Sequence, residues 1–488
     1  MPRVLHLKNC CTKKKATQVP QELLKVAQRA MAEGRWPESA QYFGLAAERN
    51  PSHAGVWHNL GLCLLALGKA KPALAACERA YALNPALWQS RLIQGKAQKM
   101  LGQLLAADAC FADVMQADPT NGAARVARAD LAMNTFGQPL QAVEWVKPLL
   151  GSAEHGDDAE LTSLMASLYD RDESAEGLNR RIISFSRRVL RLDAAQVLGG
   201  LPAHPVSKRT RPRVGLLSPL FCVSPVYFLT IAGWQHVAKG SDIVVFNRGH
   251  KADWATDVFK GLSSEWHNVQ EMDAVRLAQA MHAADLDVVY DLGGWMDPVG
   301  LKALSVKPAK QMFKWVGGQS VTTGLDNFDG WIGDEHQSPL HLQHLYTEPL
   351  VNIPGSYATY TPPDYLPPTP KRKSDVPVVF SNPAKVSRAF LAHLQTLSGK
   401  KFFVHRQFKY PQARARVEEA LGASNVEFVL PNSHKEALEV LGQHKVMLDT
   451  FPYSSGLTAR EAQAMGVRVQ AKAGTLFCER HCANLVGS

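Results

Sequence analysis

At 488 residues the chain is too long for one domain of ordinary size, and two to four are expected. Lysine plus arginine exceed aspartate plus glutamate by 54 to 44, yet Arg3, Lys8, Lys13, Lys14 and Lys15 fall in the first nineteen positions with no acid among them. Half of the excess is therefore a solvated tail (1–19) rather than a nucleic-acid-binding face, and nucleic acid is not an expected partner.

No run approaches the roughly eighteen apolar residues of a transmembrane helix, and the first thirty positions lack an apolar signal core, which together predict a cytoplasmic protein. Eight scattered cysteines make no disulfide framework. The group Cys478, His481 and Cys482 has too few ligands for a metal site and reads as packing, so no metal is expected.

After the tail a repeat emerges. Gly34, Gly68 and Gly102 are 34 residues apart, and Pro51, Pro85 and Pro119 keep the same step, the period of a tetratricopeptide array. Trp57, Leu60, Gly61 and Leu64 stand at that repeat's spacing, and Asn50, Asn84 and Asp118 precede the prolines that end each helix pair. Three full repeats and a fourth, weaker one near 123–150, with Gly137 one residue out of step, assign residues 20–150 to the array. Its groove predicts a protein or peptide partner. Residues 151–210 carry apolar residues at helical spacing (Leu161, Leu164, Leu168; Ile182, Phe185, Val189) and predict a helical linker.

From Arg211 the pattern changes to strands alternating with helices, which signals a parallel sheet covered on its faces. Strands are predicted at 214–217, 243–246, 288–292, 311–316 and 330–332, with a helix at 274–283. A proline-rich run at 361–370 and the basic Lys371, Arg372 and Lys373 close a first α/β domain (211–370). A second block (371–488) predicts strands at 378–380, 402–405, 426–430, 446–448 and 467–471. Two such blocks in series predict facing Rossmann-like domains with a ligand cleft at the carboxyl ends of their strands.

The chemistry concentrates at 448–469. An apolar strand end runs into Asp449, then into a loop with Pro452, Ser454, Ser455 and Gly456, then into a helical run. The unpaired amides and dipole of a helix start suit a pyrophosphate bound by Ser455, Gly456 and Thr458. A capping box between Thr458 and Glu461 is the alternative the residues leave open.

LDTFPY followed by small residues, a threonine and an acidic residue resembles the nucleotide-sugar loop of the O-GlcNAc transferase and SPINDLY glycosyltransferases. The resemblance continues through Met465, Gly466, Gly474, Phe477 and Arg480, and returns upstream in Asp291, Leu292 and Gly294, in Lys307 and Pro308, and in Trp315, Gly317, Thr323 and Gly324. It implies a tetratricopeptide solenoid followed by a GT-B fold, and an inverting, metal-independent transfer of GlcNAc from UDP-GlcNAc to protein Ser or Thr hydroxyls. The UDP-sugar would be a substrate, and no cofactor is implied. By position in the family motifs, Lys385 and 455–458 would meet the diphosphate, Asn382 and Glu461 the rest of the donor, His267 the reaction centre, and Asp291 would be a candidate base.

Four departures accompany it. Lys307 replaces an arginine, Ser224 stands where the family has a histidine, Ala437 stands where a second family histidine would lie near the uridine, with His434 close by, and family members continue beyond Ser488, so an incomplete last domain is expected. Open beside this reading are a catalytically inactive scaffold with a degenerate cleft and a transferase for another donor such as GDP-fucose.

Overall fold

The computed structural model describes residues 21–201 and 209–485; the basic tail expected at 1–19 lies outside the described residues. The chain divides into two compact units. One runs to Leu131 and takes in 151–155, and the other comprises 132–150 and the residues from Gly156 onward.

The first unit contains helices α1 (Gln21–Ala32), α2 (Trp36–Arg49), α3 (Ala54–Ala66), α4 (Ala70–Leu83), α5 (Trp88–Met100) and α6 (Leu104–Ala117), and most of α7 (Gly122–Asn134). They form the pairs the 34-residue period predicts. Gly34, Gly68 and Gly102 each take a positive φ, between 69° and 73°, at the turn joining the two helices of a pair, a conformation that costs a residue with a Cβ more than glycine. Asn50, Asn84 and Asp118 cap α2, α4 and α6 with non-helical ψ of 80° to 94°, as the following prolines require. Small residues let the helices approach: a Cβ on Gly61 would lie 2.3 Å from Cys77 Sγ, and one on Gly95 2.6 Å from the Phe111 ring.

The second unit begins with α8 (Pro139–Val146), α9 (Gly156–Ser167), α10 (Ala175–Phe185) and α11 (Ala194–Leu198). The run expected as a helical linker is helical here, but it does not simply span a gap. Leu164, Leu168, Leu178, Ile182 and Phe185 belong to the same buried cluster as Leu217, Val244, Leu277 and Val289 of the first sheet domain.

That domain holds β1 (Arg213–Ser218), α12 (Pro225–Val237), β2 (Asp242–Asn247), α13 (Trp254–Leu262), β3 (Glu265–Asn268), α14 (Ala274–Ala283), β4 (Val288–Asp291), α15 (Pro298–Leu304), β5 (Gln311–Lys314), β6 (Gly330–Gly333) and β7 (Leu350–Asn352). The seven strands are all parallel, in the order β3-β2-β1-β4-β5-β6-β7. β1 and β2 are buried at all but their first residue and apolar through their centres because helices cover both faces.

The second sheet domain holds β8 (Val378–Val379), α16 (Arg388–Gln395), β9 (Lys401–Val404), α17 (Pro411–Leu421), β10 (Val426–Val429), α18 (His434–Gly442), β11 (Val446–Leu448), α19 (Leu457–Ala464) and β12 (Arg468–Gln470). Its five strands are also parallel, in the order β10-β9-β8-β11-β12, so the strand order reverses at β8. Lys385 follows β8, and the 449–456 loop follows its neighbour β11, which places both at the carboxyl side of the reversal, where open α/β sheets bind ligands. The proline-rich connection between the domains is bound to both of them: Thr361 N–H donates to Phe228 O (2.7 Å), and Lys373 Nζ donates to Met465 O and Gly466 O (2.6 and 2.8 Å).

Candidate active site

Asp449 ends β11 and is buried. Its Oδ1 accepts the Ser455 N–H at 2.9 Å and closes the loop, while Oδ2 has no hydrogen-bond partner among the described residues. Burial raises this carboxyl to about 6. The Ser454 amide and hydroxyl both donate to Cys478 O at 2.9 Å, and the His481 N–H donates to Ser454 Oγ at 2.9 Å. The loop is thus tied on one side to its own strand end and on the other to residues 478–482.

Of the three predicted diphosphate contacts, Ser455 already spends its amide on Asp449. Gly456 is the N-cap of α19 and supplies no side-chain cap, and Thr458 is the second residue of the helix. The capping box the sequence left open does not form, because the Glu461 carboxylate points elsewhere. The His434 Nε2–H donates to Glu461 Oε1 at 2.8 Å, which leaves Nδ1 to accept the Tyr365 hydroxyl at 2.9 Å. The start of α19 therefore has no side-chain acceptor for its amides.

Lys385 lies on the short turn Pro383–Lys385, whose first amide is capped by Asn382 Oδ1 (Ala384 N–H, 2.9 Å). Asn382 thus shapes the turn that carries the lysine. The Lys385 ammonium donates to Ser454 O at 2.9 Å and stands 4.5 Å from the centre of the Tyr453 ring. Burial lowers its pKa from the usual lysine value, an effect the nearby Asp449 opposes. His481 is pushed down to about 3 by burial and then by Lys385 and Arg460, so its ring is neutral beside the loop.

The first domain reaches this loop through residues 317–320. Ser320 Oγ and the Tyr453 hydroxyl are 2.8 Å apart, and the Cys478 N–H donates to Ser320 O at 2.8 Å. Gly317 and Gly318 have φ of 84° and 55°, and a Cβ on them would fall 2.1 Å from Leu292 O and 1.8 Å from Gly293 O. The close approach these glycines permit is one of backbone to backbone. Asp291 Oδ1 accepts the amides of Gly293 and Gly294 at 2.9 and 3.0 Å, and its Oδ2 is 3.5 Å from Lys314 Nζ, which also donates to Gly317 O at 2.7 Å. Both side chains are almost wholly buried. Asp291 anchors the loop junction, with its oxygens already engaged.

Lys385, Asn382, Ser455, Gly456, Thr458 and Glu461 are gathered on adjoining elements of the second domain. His267 is not drawn in with them: it lies on the edge strand β3, half-exposed, stacked on Phe246 at 5.2 Å and 3.2 Å from Glu265 Oε2. Ser224 caps α12 by position, and its hydroxyl donates to Leu220 O at 2.9 Å. Sequence reasoning met His434 only as a neighbour of Ala437 and Tyr453 only as the last letter of LDTFPY, and it passed over Ser320. Ser320 left no signal, since it acts through a contact between domains. Cys478 and Cys482 are buried as packing predicts, and Cys482 Sγ–H donates to Ser455 O at 2.9 Å.

No family model matches the chain. It is 25% identical over 278 residues to a Solanum lycopersicum protein named probable UDP-N-acetylglucosamine-peptide N-acetylglucosaminyltransferase SPINDLY, over 52% of this chain and 29% of that protein. An Oryza sativa subsp. japonica protein of the same name is 26% identical over 284 residues, 54% of this chain and 30% of its own length. The chain thus spans about three-tenths of the length of these curated relatives. A solved mutant O-GlcNAc transferase of Thermobaculum terrenum matches with a TM-score of 0.60 at 22% identity, over 95% of this chain and 84% of that one, a likeness of fold.

Proposed function

From this resemblance to the O-GlcNAc transferase and SPINDLY glycosyltransferases, we propose that the chain transfers a sugar from a nucleotide diphosphate donor, UDP-GlcNAc, to Ser or Thr hydroxyls of a protein recruited by the helical repeats. The transfer would invert the anomeric centre and use no metal. The observation that carries the reading is the Lys385 ammonium: it is partly buried, has three donors and one hydrogen-bond acceptor among the described residues, Ser454 O, two residues ahead of the Gly456 N-cap that leaves the start of α19 without a side-chain cap.

When the bond from sugar to phosphate breaks, negative charge grows on the leaving diphosphate. A preorganised ammonium and outward helix amides stabilise that charge more than they stabilise the ground state. Glu461, oriented by His434, has a second carboxylate oxygen to accept a ribose hydroxyl, and Asn382 shapes the lysine's turn. Asp291 is left out as a base because its oxygens are held by two amides and Lys314. With no base assigned, a donor phosphate oxygen would take the acceptor proton.

Ser224 favours a second reading, nucleotide binding without transfer, because a serine whose hydroxyl donates to Leu220 O supplies no imidazole. Thermal melting with UDP, UDP-GlcNAc, GDP and GDP-fucose, followed by mass spectrometry of candidate acceptor proteins, tests both readings. UDP at 100 times its dissociation constant is expected to stabilise the protein by about 2.7 kcal/mol. No shift with any of the four would overturn both, and a shift without transfer would leave the second.

A further inference from the structure

Three consecutive residues just past α9 each reach a different part of the loop assembly. The Tyr169 ring stacks on Tyr453 at 5.0 Å and 16° between planes, so Tyr453 carries both a stacked ring and the Lys385 ammonium. Asp170 accepts the Arg388 N–H at 2.9 Å and its Nε and Nη2 at 3.1 Å each; Arg388 opens α16, three residues beyond Lys385. Arg171 pairs with Glu479, whose Oε2 also accepts the amides of Thr475 and Leu476 at 2.8 and 3.1 Å, next to the Cys478 carbonyl that holds Ser454. The Arg171 and Glu479 side chains are 10% and 4% exposed, so that pair is made away from solvent screening, whereas Asp170, 5% exposed, meets an Arg388 side chain that is half-exposed.

A lysine has four rotatable bonds and loses roughly 2 kcal/mol of side-chain entropy when fixed. Something rigid must therefore hold its surroundings. The Tyr453 ring can turn about two bonds unless neighbours stop it: Ser320 holds its hydroxyl, and the neighbour stacked on its face is Tyr169.

We propose that Tyr169, Asp170 and Arg171, which lie outside both sheets, are positioning residues that fix the Tyr453 ring, the Lys385 turn and the 474–479 segment against one another. Their effect on catalysis rests on the function proposed above, whereas their effect on the placement of Lys385 does not.

The test is acylation of Lys385 by an amine-reactive ester, followed by peptide mass spectrometry, with buried Lys314 as internal control. Tyr169→Leu, which removes the ring, is expected to raise Lys385 labelling about tenfold and leave Lys314 unchanged, and Tyr169→Phe, which keeps the stack, to retain protection. Asp170→Asn, which keeps shape and removes charge, is expected to raise labelling in the same direction and serves alone should Tyr169→Leu not fold. With UDP-GlcNAc as the donor, Tyr169→Leu should lower kcat about tenfold and change KM by less than about threefold. Wild-type Lys385 labelling in the folded variants, or an equal rise at Lys314, overturns the proposal, as does an unchanged kcat in a protein that transfers sugar. If the wild-type protein transfers no sugar, the function reading fails and the labelling still decides the positioning.

Discussion

On the proposed function, Lys385 and Glu461 would meet a donor at different stages of reaction. Lys385 faces charge that develops on the leaving group, so Lys385→Ala should lower kcat by about 10² to 10³ with a smaller change in donor affinity. Glu461 would hold a ribose hydroxyl alike in ground and transition states, so Glu461→Ala should mainly raise the donor KM. Steady-state kinetics on both variants separate the roles, and equal effects on kcat and KM in both would show that the two assignments are mistaken. The sequence made these residues legible because each stands in a short motif next to a strand end or helix start. The contacts of His434 and Tyr453 were not legible, since the partner that gives each its role lies 27 or more residues away in the chain: Glu461 for His434, Ser320 and Tyr169 for Tyr453.

Helix α13 shows how an element can fix a loop it does not belong to. Its N-cap, Asp253, forms a capping box with Thr256 and also accepts the Val223 N–H at 3.0 Å, which pins the stretch between β1 and α12 that contains Ser224. Asp253→Ala should cost about 1 to 2 kcal/mol in chemical denaturation and speed amide exchange at 220–224, whereas a loss of stability with unchanged exchange there would confine Asp253 to capping. Periodicity gave the helix at 274–283 and most strands to within two residues, because buried parallel strands are apolar runs. It missed β3 and β7, which are short edge strands with partly exposed, mixed sequences and so lack that signature. Likewise the spacing of Leu164, Leu168 and Ile182 announced helices but could not say which sheet they would cover.

At the scale of the molecule, the compact units part at 131–132, inside the region the repeat period assigns to the array. Phe136 is buried edge-on to Tyr410 at 5.3 Å, and a Cβ on Gly137 would lie 2.5 Å from Pro383 Cβ, so residues 132–150 pack on the second sheet domain. A chain beginning at residue 132 is expected to keep full-length nucleotide affinity and lose transfer to a protein acceptor. One beginning at 151 should also melt at lower temperature, since losing a buried phenylalanine alone costs about 3 kcal/mol. Calorimetry, nucleotide titration and acceptor labelling on the two truncations decide this. Undiminished transfer by the shorter array would make the repeats structural, and equal melting of the two would show that 132–150 do not stabilise the second unit.

The contact between Gly137 and Pro383 also bears on how such a protein can change over generations. Gly34, Gly68 and Gly102 have open space beside them, so the turns of the upstream units are not held against another part of the chain among the described residues. The last turn has no such freedom: its glycine sits against the residue that begins the Lys385 turn. Natural variation and chimaeras should therefore tolerate exchanged repeats only upstream of that junction, with Gly137 and Pro383 inherited together.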